Sequence, residues 1–152
     1  MSEYHLQLNP GKTKIILFAP PTILKEISIH GVQLTSDICT RFISTTKSLG
    51  IHIDQGLQFK QQVIAVKKES FRVLRDICKR RHLFSEDQLK MVVNSLVICK
   101  LDYCNAIYYG ISEKLLDELQ RIQNACAKAI VGLYKLGSTL KDLNWLPIRL
   151  RI

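Results

Sequence analysis

No two aspartates are adjacent in this chain, and it contains neither a Cys-x-x-Cys pair nor a glycine-rich loop. Each absence removes a class of chemistry. Aspartates such as Asp37, Asp54, Asp76, Asp87, Asp102 and Asp117 are dispersed, so there is no adjacent aspartate pair of the kind that holds two metal ions. His5, His30, His52 and His82 lie far apart, and none falls in a nucleophile motif. Pro10-Gly11-Lys12-Thr13 resembles the end of a nucleotide-binding P-loop, but the first glycine of that motif is missing. The five cysteines (Cys39, Cys78, Cys99, Cys104, Cys126) are odd in number, scattered and mostly set in apolar runs. They read as reduced, core-filling thiols, with no metal site and no cofactor expected. Long apolar runs are missing too: none approaches the ~20 residues that span a bilayer. Met1 to Pro10 is polar, so no secretion signal opens the chain. The expected location is intracellular, nucleus or cytoplasm, with no membrane partner.

Acidic residues are comparatively few. Against 22 Lys and Arg stand 13 Asp and Glu, a net charge of +9. Such an excess favours a polyanionic partner, nucleic acid first and a membrane surface second. At 152 residues and 47% hydrophobic, the chain can bury one full core or two small ones.

Two textures follow one another. Residues 1–56 are short and β-like. Ile15-Ile16-Leu17-Phe18 is an apolar run stopped by Pro20-Pro21. Ile27 to His30 and Val32 to Leu34 alternate around Gly31, which predicts a hairpin. Ser48 to Ile53 is a third strand candidate, ending at Asp54-Gln55-Gly56.

Residues 57–152 are helical. The first helix is predicted from Leu57 to Arg81, with Val63, Val66, Ser70, Val73 and Ile77 on one side and Phe71, Leu74 and Cys78 beside them. A second begins at Ser85, where Gln88 completes a capping-box spacing. Leu89, Val92, Val93, Leu96, Val97 and Leu101 make it apolar on most faces, hence the central helix of the bundle. A third follows Gly110-Ile111, capped by Ser112, with Leu115, Leu119, Ile122, Cys126, Ala129, Ile130 and Leu133. The segment Leu143 to Ile148 reads as a docking tail. The fold class is therefore α+β: a small antiparallel β-unit followed by a helical bundle.

The first helix carries a pattern that points to function. Lys68, Arg72, Arg75 and Lys79 are spaced 4, 3 and 4, which aligns them on the side opposite the apolar stripe. With Lys60, Lys67, Arg80 and Arg81, and against Glu69 and Asp76, the segment holds most of the chain's surplus charge. A cationic ridge backed by a core suits a phosphate backbone. The same pattern also fits a merely solvated face.

Several segments together resemble a known family. Leu6 to Lys14, with Asn9-Pro10-Gly11-Lys12-Thr13 leading into Ile15 to Phe18, looks like motif D at the edge of a reverse-transcriptase palm. Lys47 to Asp54, with Leu49-Gly50, resembles motif E, the primer-grip hairpin. Leu101-Asp102-Tyr103-Cys104-Asn105 is similar to a signature of jockey-like, non-LTR (LINE-type) retrotransposons. Leu119 to Ala125 and Trp145-Leu146-Pro147-Ile148 follow in the family's order. The resemblance implies that residues 1–56 are a palm-edge and primer-grip remnant and residues 57–152 a thumb with its C-terminal extension. It implies a vestigial motif D lysine at Lys12, primer contact at Leu49 and Gly50, and template–primer duplex on the ridge. Tyr103 and Asn105 would tie helix to loop.

The departures carry weight as well. The family's metal-binding aspartates lie upstream of motif D, so Mg2+ is expected only in the full-length enzyme and no polymerase activity is expected of this chain alone. Thr139-Leu140 stands where the family has Thr-Pro. Missing segments at both ends suggest a decayed copy. The expected partner is nucleic acid, with a separate polymerase copy as a second candidate. Two other readings stay open: a helical protein-interaction module, and a translated remnant without a selected function.

Overall fold

The computed structural model of the protein describes residues 9, 11–26, 32–35, 38–40, 42–132 and 139–152. The architecture is α+β, and the chain divides into two compact units, Met1–Gln58 and Phe59–Ile152.

In the first unit, helix α1 spans Pro21–Glu26. The diproline read as a strand stop is thus also a helix start, since proline's fixed φ suits the first helical position and its missing N–H costs nothing there. Strand β1 (Val32–Thr35) pairs antiparallel with β2 (Ile38–Thr40), the register slipping between Gln33 and Thr35. The expected hairpin partner of Val32 to Leu34, Ile27 to His30 with Gly31 as its turn, lies outside the described residues. Ile15 to Phe18 forms no strand; a single parallel bridge joins Ile15 to Phe42. Strands β3 (Thr45–Ser48) and β4 (Ile51–Asp54) form a second antiparallel pair. The predicted strand from Ser48 to Ile53 is therefore two strand ends around a turn.

The second unit is a helical bundle. Helix α2 spans Lys60–Lys79, α3 Glu86–Val93, α4 Cys99–Asp102, α5 Glu113–Val131 and α6 Thr139–Asp142. Gln62, Val63, Val66, Ser70, Leu74 and Ile77 are the buried residues of α2, which packs on α5. Leu74 takes the inward place predicted for Val73, and Cys78 is exposed. The capping box at Ser85 forms: its hydroxyl accepts from the Gln88 amide at 3.3 Å, and the Gln88 side chain accepts from the Ser85 amide at 3.0 Å.

The long second helix is not continuous. A π-helical turn over Asn94–Ile98 joins α3 to α4. The wider turn changes which residues face inward: Leu89, Val93, Val97, Ile98 and Leu101 are buried, whereas Leu96 is 48% exposed. Ser112 stands at the N-cap of α5 without a side-chain cap bond, and Gly132 ends that helix at φ 93°. Leu133 lies outside the described residues. Leu119, Ile122, Gln123, Cys126, Ala127 and Ile130 form the inward face of α5 and the centre of the core. Truncating one of the large apolar residues to alanine would cost about 2–5 kcal/mol. Among the described residues no helix is long and apolar enough to cross a membrane.

Candidate nucleic-acid interface

Helix α2 positions the basic ridge. Because its buried residues recur at three- and four-residue spacing, the residues half a turn away must face solvent. Lys68, Arg72, Arg75 and Lys79 are all exposed. From Lys68 to Lys79 the row covers about 16 Å of helix axis.

Its four cations are not equivalent. Arg72 donates to both carboxylate oxygens of Glu69, at 2.9 and 2.7 Å, and reaches Asp76 at 3.8 Å. Lys100, on α4, donates to the same Glu69 at 3.1 Å. Hydrogen bonding from Arg72 and then Lys100 lowers the Glu69 carboxyl to about 2, and raises the Arg72 guanidinium in turn. Glu69, Asp76, Arg72 and Lys100 thus form a charge-balanced group. Among the described residues, Lys68, Arg75 and Lys79 form no ion pair.

Three of the four flanking basic residues, Lys67, Arg80 and Arg81, are committed to structure. Lys67 pairs with Glu118 on α5, and Arg80 donates to the Asp76 carbonyl at 3.3 Å. Arg81 donates to the Ile130 carbonyl at 3.0 Å, satisfying the C-terminal end of α5.

In the first unit, Leu49 and Gly50 are the two loop residues of the β3–β4 hairpin, since Ser48 pairs with Ile51. Both have positive φ, 47° and 86°, as a two-residue turn matched to strand twist demands. Glycine meets that demand freely; leucine does not, and here the leucine is 87% exposed. Lys12 is exposed in a turn organised by Asn9. The Asn9 carbonyl accepts from the Lys12 and Thr13 amides at 3.2 and 3.1 Å and from the Thr13 hydroxyl at 2.8 Å.

The remaining segments of the resemblance meet each other. Asp102 pairs with the Arg151 guanidinium, and the Asn105 side chain donates to the Arg151 carbonyl at 2.8 Å. Gln123, fully buried on α5, donates to the Leu146 carbonyl at 2.8 Å. Gln120 donates to the Gln123 carboxamide oxygen and accepts from the Ile148 amide, each at 2.9 Å. The Leu101–Asn105 and Leu119–Ala125 segments therefore work as a clamp on residues 146–151. Thr139-Leu140 begins the short helix α6, whose Leu140 carbonyl accepts from the Trp145 amide at 2.8 Å.

Sequence reading missed this clamp, though Gln123 left a trace: it is the amide in the inward row of Leu119, Ile122 and Cys126. It also treated the cysteines as core residues. Cys126 is buried, and burial pushes its thiol up to about 12, whereas Cys78, Cys99 and Cys104 are exposed. Comparison with protein-family models, curated proteins and solved structures finds no match for this chain.

Proposed function

We propose that this chain is a thumb-bearing part of a non-LTR retrotransposon reverse transcriptase that binds nucleic acid without sequence preference and does not polymerise alone. The observation that carries the binding is the set of three unpaired cations, Lys68, Arg75 and Lys79, on the exposed face of a 20-residue helix. Their backbone is fixed by the core behind them, so meeting phosphates costs side-chain freedom alone. The reverse-transcriptase reading rests on the residues of the resemblance; the Leu49-Gly50 turn supports it as an exposed two-residue tip of the kind a primer-contacting hairpin needs. Lys12 keeps its reading as a vestigial motif D lysine.

The test is binding to an RNA–DNA hybrid and to a DNA duplex across a salt series. Three phosphate contacts predict a log–log slope of about −2.7 on B-form duplex, from about −0.9 per contact. Affinity in the ~micromolar range is expected. Replacing Lys68, Arg75 and Lys79 together by Glu should abolish binding while the helical far-UV signal stays. Unchanged binding in that variant would sink the reading and favour a protein-interaction module instead.

A further inference from the structure

The clamped tail forms one wall of a groove in the helical unit, and the reading above gives that groove no role. It has a volume of about 450 Å³, within the ~300–1,000 Å³ of small-ligand sites. The π-helical turn supplies the other wall, with Asn94 and Ile98; Asp102, Asn144, Trp145 and Arg151 also line it. Both walls are locally irregular. A π-turn interrupts the helix on one side, and Asn144 sits at φ 55° on the other.

The lining chemistry narrows the ligand. Asp102 and Arg151 neutralise each other, so neither a phosphate nor a cation finds an unopposed charge. Trp145 packs against the core while remaining partly exposed, and Ile98 adds an apolar floor. The side-chain amides of Asn94 and Asn144 have no hydrogen-bond partner among the described residues. A neutral, flat ring bearing both donors and acceptors complements such a lining. Bonds from Asn105 to the Arg151 carbonyl and from Gln123 to the Leu146 carbonyl hold the tail in place before any ligand arrives.

We propose that this groove takes a single unpaired nucleobase, stacked on Trp145 and hydrogen-bonded by Asn94 and Asn144. The choice of a base over other flat amides rests on the nucleic-acid reading. Aromatic stacking serves any base, so preference among bases should be modest.

Trp145 is the only tryptophan of the chain, so its fluorescence reports on the groove directly. Adenosine, which carries no phosphate, is titrated into the full chain up to millimolar concentration. Saturable quenching is expected, and Asn94→Ala and Asn144→Gly should each weaken it by about tenfold. Glycine at position 144 keeps the positive φ, and alanine at 94 suits a helix, so neither should unfold the chain. Indifference of Trp145 to adenosine, or quenching unaltered in both variants, would overturn the proposal. The variant with Lys68, Arg75 and Lys79 changed to Glu should keep the adenosine response while losing duplex. Duplex binding without an adenosine response would remove the groove and leave the ridge standing; the reverse pattern would remove the ridge alone.

Discussion

Arg72 shares a helix face with Lys68, Arg75 and Lys79, yet Glu69 holds its guanidinium through two hydrogen bonds. A phosphate would have to compete with a carboxylate already in place. Arg72→Ala should therefore flatten the salt slope less than Arg75→Ala, which should remove about 0.9. The opposite change is more telling. Glu69→Gln removes the charge that occupies Arg72 and Lys100, so binding should tighten and the slope move from about −2.7 toward about −3.6. A weaker or unaltered complex in Glu69→Gln would show that Arg72 is not held in reserve. Acidification is a poor substitute for the mutation. Because the Glu69 carboxyl is lowered to about 2 from 4.5, whatever the pair adds to folding is complete above 4.5 and is lost only as pH falls through about 2. The four-residue ridge was legible in the sequence because helical geometry alone decides which side chains share a face. The pairing of Arg72 was open to the same geometry, since Glu69 and Asp76 stand three and four residues from it. The second cation on Glu69 was not, because Lys100 comes from another helix.

Elements differ in how far their own residues determine them. The α3 start is local: Ser85 and Gln88 exchange hydrogen bonds across three residues, and the sequence announces them. Ser85→Ala should cost about 1 kcal/mol in denaturant unfolding, the usual worth of such a cap. The end of that helix is not local. An ideal 3.6-residue repeat turns Leu96 inward, but the π-turn over Asn94–Ile98 carries it outward and sets Val97 and Ile98 in the core. Pro21 shows the reverse error, where a residue that ends strands also begins helices. The tail clamp depends on tertiary pairing throughout. Gln123→Leu keeps the volume of the buried side chain but leaves the Leu146 carbonyl without its donor. That substitution should cost about 0.5–1.5 kcal/mol, the net worth of such a hydrogen bond. Trp145 fluorescence should shift with it as the tail loosens. A Gln123→Leu chain as stable as the parent, with unaltered emission, would mean that the clamp contributes nothing.

At the scale of the whole molecule, the two units differ in what holds each together. Residues 57–152 were legible as a helical body because apolar residues recur at helical spacing over three long segments, and the bundle begins at Phe59. The strand pairings of the first unit were less so, because short strands carry little periodicity and register depends on partners. Among the described residues, the helical unit buries 18 hydrophobic side chains in its core cluster, whereas the β3–β4 hairpin buries Ile51 alone. Two-stranded sheets with so little behind them are marginal in water, and local helical contacts form without distant pairing. Limited trypsin digestion should therefore cut first at exposed Lys12, Lys14 or Lys47. A fragment starting close to Phe59 should persist, although its ridge offers exposed lysines, because cleavage inside a packed helix requires that helix to open first. Cys126 supplies an independent reading of the same fragment. Burial holds its thiol near 12, so iodoacetamide at neutral pH should spare it while the bundle stands and modify it only on unfolding. Rapid digestion of the helical half, or prompt alkylation of Cys126 in the surviving fragment, would show that residues 59–152 do not form a stable bundle by themselves.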